Sequence, residues 1–239
     1  MQGQAVAVLP PSGQHVREHR SVLADIEKRT LIWLAHRLPG WLNSDHLTVL
    51  GAVAMLGVGA SFAAARWSPA TLVFVPLFLA INWFGDSLDG TVARVRNAQR
   101  PRYGFYVDHV VDIANATVMF AGLGLSGLAD IWVAAGLLVA YLLLCAESFL
   151  ATHALGVFKI SFAGFGPTEL RIVLSIGALV AIQRPTVDLF GQGHFKLFDV
   201  GGVIAILGML AVFVVSAARN TRTLYRAEPL PKRVQGLDQ

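Results

Sequence analysis

Cysteine and charge are both scarce in this sequence. One cysteine, Cys145, stands among 239 residues, which excludes a disulfide scaffold and a metal site built on thiolates. Asp, Glu, Lys and Arg together make up 14% of the chain, against about 25% in an ordinary soluble domain. The apolar share, 55%, exceeds what the core of one domain of this length needs. The same excess excludes a disordered or fibrous chain. Mean hydropathy is +0.59. The composition is that of a membrane protein.

Residues 1–17 hold no apolar run long enough for a signal-peptide core, and their polar, Pro- and Gly-containing composition reads as a disordered leader. From Glu18 to Leu38 the pattern becomes helical and amphipathic. Val22, Ile26, Ile32, Trp33 and Leu34 alternate with Arg20, Asp25, Glu27, Lys28, Arg29 and Arg37. A basic helix of this kind lies in the headgroup plane or packs on its own domain as a solvated helix. We assign 18–40 to this juxtamembrane helix, 41–220 to a membrane domain and 221–239 to a cytoplasmic tail.

Six apolar stretches follow, at about 47–65, 69–85, 105–126, 131–150, 167–183 and 200–218. Each is near the roughly 20 residues needed to cross a bilayer. Pro76 falls inside the second, where neighbouring helices compensate a lost hydrogen bond. Small residues recur (Gly57, Gly59, Gly122, Gly124, Gly136, Gly177, Gly208), as close helix approach in lipid requires. The expected fold is therefore all-α, with six transmembrane helices behind an amphipathic interfacial helix.

The basic residues set a topology. Sixteen Lys and Arg lie in the N-terminal segment, the loops after the second and fourth spans, and the tail, whereas Arg66, Arg184 and Lys196 lie in the other loops. The positive-inside rule then puts both termini in the cytoplasm. Trp67 and Trp132 fall at the opposite interface, where aromatic belts form. The net charge of +4 thus traces the inner membrane face, whose anionic lipids are its counter-charge. Nucleic-acid binding is a poor reading of it.

Four of the 15 acidic residues crowd one place: Asp86, Asp89, Asp108 and Asp112. Spacings of three and four put each pair on one helix face. The short basic loop between the pairs predicts antiparallel neighbouring helices, with the carboxylates converging at their cytoplasmic end. Four such groups do not all ionise at close quarters without counter-charge. Oxygen-only ligands suit Mg²⁺, Mn²⁺ or Ca²⁺ rather than zinc. The alternative is a set of solvated helix-end carboxylates paired with Arg94, Arg96, Arg100 or Arg102. Gly90 and Ala93, on the same segment, leave room for a ligand to approach the helix, or simply serve helix packing.

The stretch Asp86-Ser-Leu-Asp89-Gly90-Thr-Val-Ala93-Arg94, then Gly104, Asp108 and Asp112, resembles the signature of the CDP-alcohol phosphotransferase family, D-x2-D-G-x2-A-R followed after eight or nine residues by G-x3-D-x3-D. All eight fixed positions are present. At about one chance in fifteen per position, eight together come to about one in 10⁹. The upstream stretch from Asn43 through Thr48 to Gly51 is similar, more weakly, to the family's approach to its first span.

The resemblance implies transfer of a phosphate-linked group from a CDP-alcohol to a hydroxyl, with release of CMP. It implies that Asp86, Asp89 and Asp108 bind a pair of divalent metals, Mg²⁺ or Mn²⁺, that Asp112 completes the cluster and acts as the base, and that Gly90, Ala93, Arg94 and Gly104 shape the nucleotide pocket. It also implies a homodimer. The expected donor is CDP-diacylglycerol and the acceptor a small polar alcohol. Within the family, the rival is transfer of phosphocholine or phosphoethanolamine from its CDP form to diacylglycerol. A divalent-cation transporter is the distant alternative, but transport places acids at the bilayer midplane.

The acceptor side is less defined. Glu147, His153, Lys159, Thr168, Glu169 and Arg171 are candidates on the cytoplasmic side, and Lys159 with Arg171 form a pair able to receive a phosphate. Gly166-Pro-Thr-Glu169 reads as a helix start, with a Pro near its first position and an acid in its first turn. It also resembles a Gly-Pro-Thr-Glu stretch of eukaryotic choline/ethanolamine phosphotransferases, which implies that Glu169 contacts a cationic headgroup.

Overall fold

The computed structural model describes residues 16–18, 24–159, 167–189, 191, 193–228 and 230. Among them the architecture is helical, with two small two-stranded sheets at its margins. Strand β1 (Val16–Glu18) pairs in parallel with β2 (Val157–Lys159). Helix α1 (Ala24–Ala35) therefore starts six residues later than the amphipathic pattern, and Glu18 belongs to a strand. Residues 1–15 of the expected leader lie outside the described residues, while Val16 and Arg17 are in β1.

Helix α1 buries Leu31 and Ala35 against Leu88 and Val92, leaving Ile26, Ile32 and Trp33 exposed. One face is thus packed on the domain, and an apolar and basic remainder faces outward. Helix α2 (Ser44–Ala64) begins at a reciprocal cap. The Asn43 side chain accepts from His46 N at 3.0 Å while His46 Nδ1 accepts from Asn43 N at 3.3 Å, which satisfies two of the donors a helix start leaves open.

A single 3₁₀ turn (Pro69–Val73) leads into α3 (Phe74–Val95). Pro76 sits in the first turn of α3, where an N–H is unpartnered within the helix anyway, so no mid-span break arises. Nor does the helix stop at 85. It continues to Val95, so Asp86 and Asp89 lie on an unbroken helix. Its end is closed by Ala98 N donating to Ala93 O at 2.9 Å and Asn97 N to Arg94 O at 3.2 Å, with Asn97 left-handed at φ 53°. This terminator turns the chain sharply, and Pro101 opens α4 (Pro101–Leu125).

Helix α5 (Ile131–Leu155) starts at Asp130, whose carboxylate accepts from Trp132 N at 2.8 Å, and ends at left-handed Gly156. Helix α6 (Pro167–Gln183) has Pro167 at its start and Glu169 in its first turn, as the sequence predicts. A hairpin of β3 (Thr186–Asp188) and β4 (His194–Lys196) delivers α7 (Leu197–Ala227), which runs seven residues past the expected domain boundary.

The main core forms around Val58, Phe62, Leu72 and Val75, all at most 1% exposed, with Phe198 of α7 edge-on to Phe62 at 5.6 Å. Burying each such side chain contributes about 1.5–3 kcal/mol. Helix α2 packs against both α3 and α4, while α3 and α4 hardly touch each other. The expected neighbours α3 and α4 face each other across a gap, with α2 as its floor. Glycine sets both approaches. A Cβ at Gly85 of α3 would lie 2.5 Å from Leu47 O of α2, and a Cβ at Gly122 of α4 would enter the Gly59 backbone of α2.

Four helical stretches are long and apolar enough to cross a membrane: Ser44–Ala64, Pro69–Val95, Ile131–Leu155 and Leu197–Ala227. Helix α4, whose aspartates lower its hydropathy, and α6, at 17 residues, fall outside that set. The protein is a membrane protein by these four.

Candidate active site

Asp86 and Asp89 sit one turn apart on α3, and Asp108 and Asp112 one turn apart on α4. Because α3 and α4 rest on α2 rather than on each other, their acidic faces meet over a cleft floored by Thr48, Gly51 and Ala52. One carboxylate oxygen from each of Asp86, Asp108 and Asp112 lies within 4.8 Å of the others. Asp89 lines the same cleft but stands outside this triplet, and its Oδ2 accepts from Thr48 Oγ1 at 2.6 Å. Gly51 keeps the floor low, since a Cβ there would stand 3.3 Å from Asp86 N.

Two arginines of the connecting loop, Arg96 and Arg100, are engaged elsewhere. Arg96 donates to Leu42 O at 2.6 Å and to Leu38 O and Pro39 O at 3.0 Å, clamping the α1–α2 loop. Arg100 pairs with Asp45 and lies over the Tyr103 ring. A cation that does reach the cluster comes from α6. Arg171 Nη2 donates to Asp86 Oδ2 at 2.5 Å, and its Nε to Asn82 Oδ1 at 2.9 Å. Asn82 is 4% exposed and also donates to Gly51 O at 3.0 Å, so it ties α2, α3 and α6 together beneath the acids.

Around the nucleotide candidates the space differs. A Cβ added at Gly104 would meet nothing within 4 Å, whereas one at Gly90 would meet Arg94 Nη1 at 3.3 Å. Arg94 folds back along its own helix, donating to Thr91 Oγ1 at 2.9 Å. Ala93 is half-buried on the same helix. Of the acceptor candidates, Arg171 is brought to the aspartates and Glu169 is carried on the same first turn, with its Oε1 sealed from solvent. Lys159 ends β2, and its side chain lies outside the described residues. Glu147 lies elsewhere, accepting from Asn220 Nδ2 of α7 at 2.6 Å.

Sequence reasoning missed Asn82 and Asn115, both lining the cleft. The available signal was a polar side chain one turn from an acid inside an apolar run. The donor set itself, oxygen atoms only and three of them within reach of one centre, fits a hard divalent cation such as Mg²⁺ or Mn²⁺ and disfavours zinc.

Comparison with known proteins agrees with this geometry. Residues 41–217 match the sequence model of the family described as CDP-alcohol phosphatidyltransferase. No curated protein matches the chain. Among solved structures the fold resembles the Mycobacterium tuberculosis phosphatidylinositol phosphate synthase PgsA1, determined with CDP-DAG bound, with a TM-score of 0.51 and 19% sequence identity over 88% of this chain and 100% of that one.

Proposed function

The chain belongs to the CDP-alcohol phosphatidyltransferase family and is a transferase of phospholipid synthesis, and we propose that it moves a phosphatidyl group from CDP-diacylglycerol to the hydroxyl of a small polar alcohol, releasing CMP. The observation that carries this reading is the convergence of Asp86, Asp108 and Asp112 over the α2 floor. Asp86, Asp89, Asp108 and Asp112 would hold the divalent pair, Mg²⁺ or Mn²⁺. Two cations supply neutralisation of the charge that builds on a pyrophosphate as its leaving group departs.

The chain's own residues do the rest. Gly90, Ala93, Arg94 and Gly104 give the cytidine its place beside α3 and the start of α4. Asp112 takes the proton of the acceptor hydroxyl as that oxygen bonds to the phosphorus and the bond to CMP breaks. A hydroxyl is a weak nucleophile at neutral pH, and a positioned carboxylate base contributes about 10²–10⁴-fold. Lys159, Glu169 and Arg171 form the acceptor side. The domain occupies 41–220 in six spans, with α1 as a juxtamembrane helix, both termini and the site at the cytoplasmic face, and a homodimer as the assembly.

The test is direct. Purified protein in lipid nanodiscs is given labelled CDP-diacylglycerol, Mg²⁺ or Mn²⁺, and a panel of alcohols that includes glycerol phosphate and inositol phosphate. Metal-dependent CMP release with one acceptor is expected. Release only from CDP-choline or CDP-ethanolamine with diacylglycerol would reverse the direction of the proposal, and no release from any CDP-alcohol would end it.

A further inference from the structure

Glu27 belongs to α1, well away in sequence from every residue of the signature. Its Oε1 nevertheless accepts from Trp83 Nε1 at 2.8 Å, from Ser87 Oγ at 3.3 Å and from Thr168 Oγ1 at 3.0 Å. One carboxylate oxygen thus gathers three elements, α1, α3 and α6. Its Oε2 is sealed from solvent with no hydrogen-bond partner among the described residues. A carboxylate oxygen in that condition costs stability, so Glu27 is held there by the three donors on its other oxygen.

Those donors border the active site. Trp83 and Ser87 stand one turn apart on α3 and flank Asp86 in sequence. Thr168 precedes Arg171 by three residues, so the two share the first turn of α6. The bond from Thr168 to Glu27 and the bonds from Arg171 to Asp86 and Asn82 are therefore two attachments of one helical turn, the first to α1 and through Glu27 to α3, the second directly to α3. Loss of the first attachment removes one of these two polar ties and leaves the turn less firmly held.

We propose that Glu27 is a positioning residue for transfer: its Oε1 fixes the first turn of α6 against α3, and so sets where Arg171 stands beside Asp86. Through it, α1 holds the acceptor side of the cleft. The inference rests on the reading above that α6 supplies that side. Its chemistry is that of an acceptor atom rather than of a charge, because each contact to Oε1 is a donated N–H or O–H.

That distinction makes the test. The full chain is purified in nanodiscs as Glu27→Ala, Glu27→Gln, Thr168→Val and the Glu27→Ala/Thr168→Val pair. KM is measured separately for CDP-diacylglycerol and for whichever alcohol of the panel supports CMP release. Hydrogen exchange of the amides of residues 167–171 is followed in the same samples. Glu27→Ala and Thr168→Val are each expected to raise acceptor KM about tenfold with donor KM within about twofold, and the double variant to be no worse than either. Glu27→Gln, which keeps an acceptor oxygen, is expected to stay close to the parent in both readouts, whereas Glu27→Ala speeds exchange at 167–171. The proposal is overturned by Glu27→Gln failing like Glu27→Ala, by both KM values rising together, by additive effects in the double variant, or by unchanged exchange. Should the parent release no CMP, the functional reading fails on its own, and the exchange comparison still decides the link between Glu27 and α6.

Discussion

Arg171 of α6 and Asp86 of α3 form an ion pair at 2.5 Å, with side chains only 16% and 29% exposed. Asp86 also belongs to the carboxylate triplet of the cleft. One oxygen of the cluster is thus already neutralised by a fixed guanidinium on the side where α6 joins it.

Removing that guanidinium leaves Asp86 with its full charge for a divalent ion, since like charges at this range repel strongly in a partly buried site. Arg171→Ala is therefore expected to bind Mn²⁺ several-fold more tightly than the parent while transferring at least tenfold more slowly. Arg171→Lys keeps a charge but not two separated donors, and should fall between. Manganese titration followed by electron paramagnetic resonance checks the first claim, and weaker Mn²⁺ binding by Arg171→Ala would contradict it.

Asp112→Asn keeps size and one acceptor oxygen but removes the base. Binding of metal and CDP-diacylglycerol should remain largely intact, while CMP release falls by about 10²–10⁴-fold. Turnover at the parental rate would remove Asp112 from the role of base.

The helix approaches give a pair of glycine substitutions with opposite outcomes. A methyl group at Gly85 collides with backbone, 2.5 Å from Leu47 O, whereas one at Gly104 meets open space. Gly85→Ala should cost about 1–3 kcal/mol and lower the thermal midpoint in detergent by several degrees. Gly104→Ala should leave that midpoint unchanged or raise it slightly, since Ala is the better helix former, so that any loss of activity reads out the nucleotide pocket alone.

Arg96 holds the α1–α2 loop through the carbonyls of Leu38, Pro39 and Leu42. Arg96→Ala should destabilise the protein by about 1.5–3 kcal/mol, visible as a lowered thermal midpoint, and Arg96→Lys should recover only part of it. An unchanged midpoint for Arg96→Ala would show that the loop is held by packing.

Much of this was legible because the signals were local. The spacing of Asp86 and Asp89, and of Asp108 and Asp112, fixes a shared face wherever a helix forms, and Pro167 with Glu169 marks a helix start by short-range chemistry alone. What escaped was set by distant partners. Pro76 reads as interior to a span because the 3₁₀ turn before it is invisible in periodicity, and α3 runs on past residue 85 because its terminator, Asn97, lies beyond the apolar run. The short loop between the acidic pairs implies neighbouring helices, and their acids do converge, yet both helices rest on α2 at Gly85 and Gly122 in a way no loop length records. Arg171 read as an acceptor contact or a topology charge, and its bond to Asp86 crosses 85 positions. Glu27 reads only as one polar position of an amphipathic helix. Its meaning exists only once three helices have met.

The two walls of the cleft are held in unlike ways. On α2, α3 and α4 the acids are spaced by main chain lying on main chain at glycines, a fit that a single added methyl group disturbs. Helix α6 is tied at the cleft by side chains, Thr168 to Glu27 of α1 and Arg171 to Asp86 and Asn82 of α3, and such a fit is re-cut one residue at a time. If α6 supplies the acceptor side as proposed, variation in the acceptor alcohol is free to accumulate on that wall, while the glycine-spaced wall stays as it is.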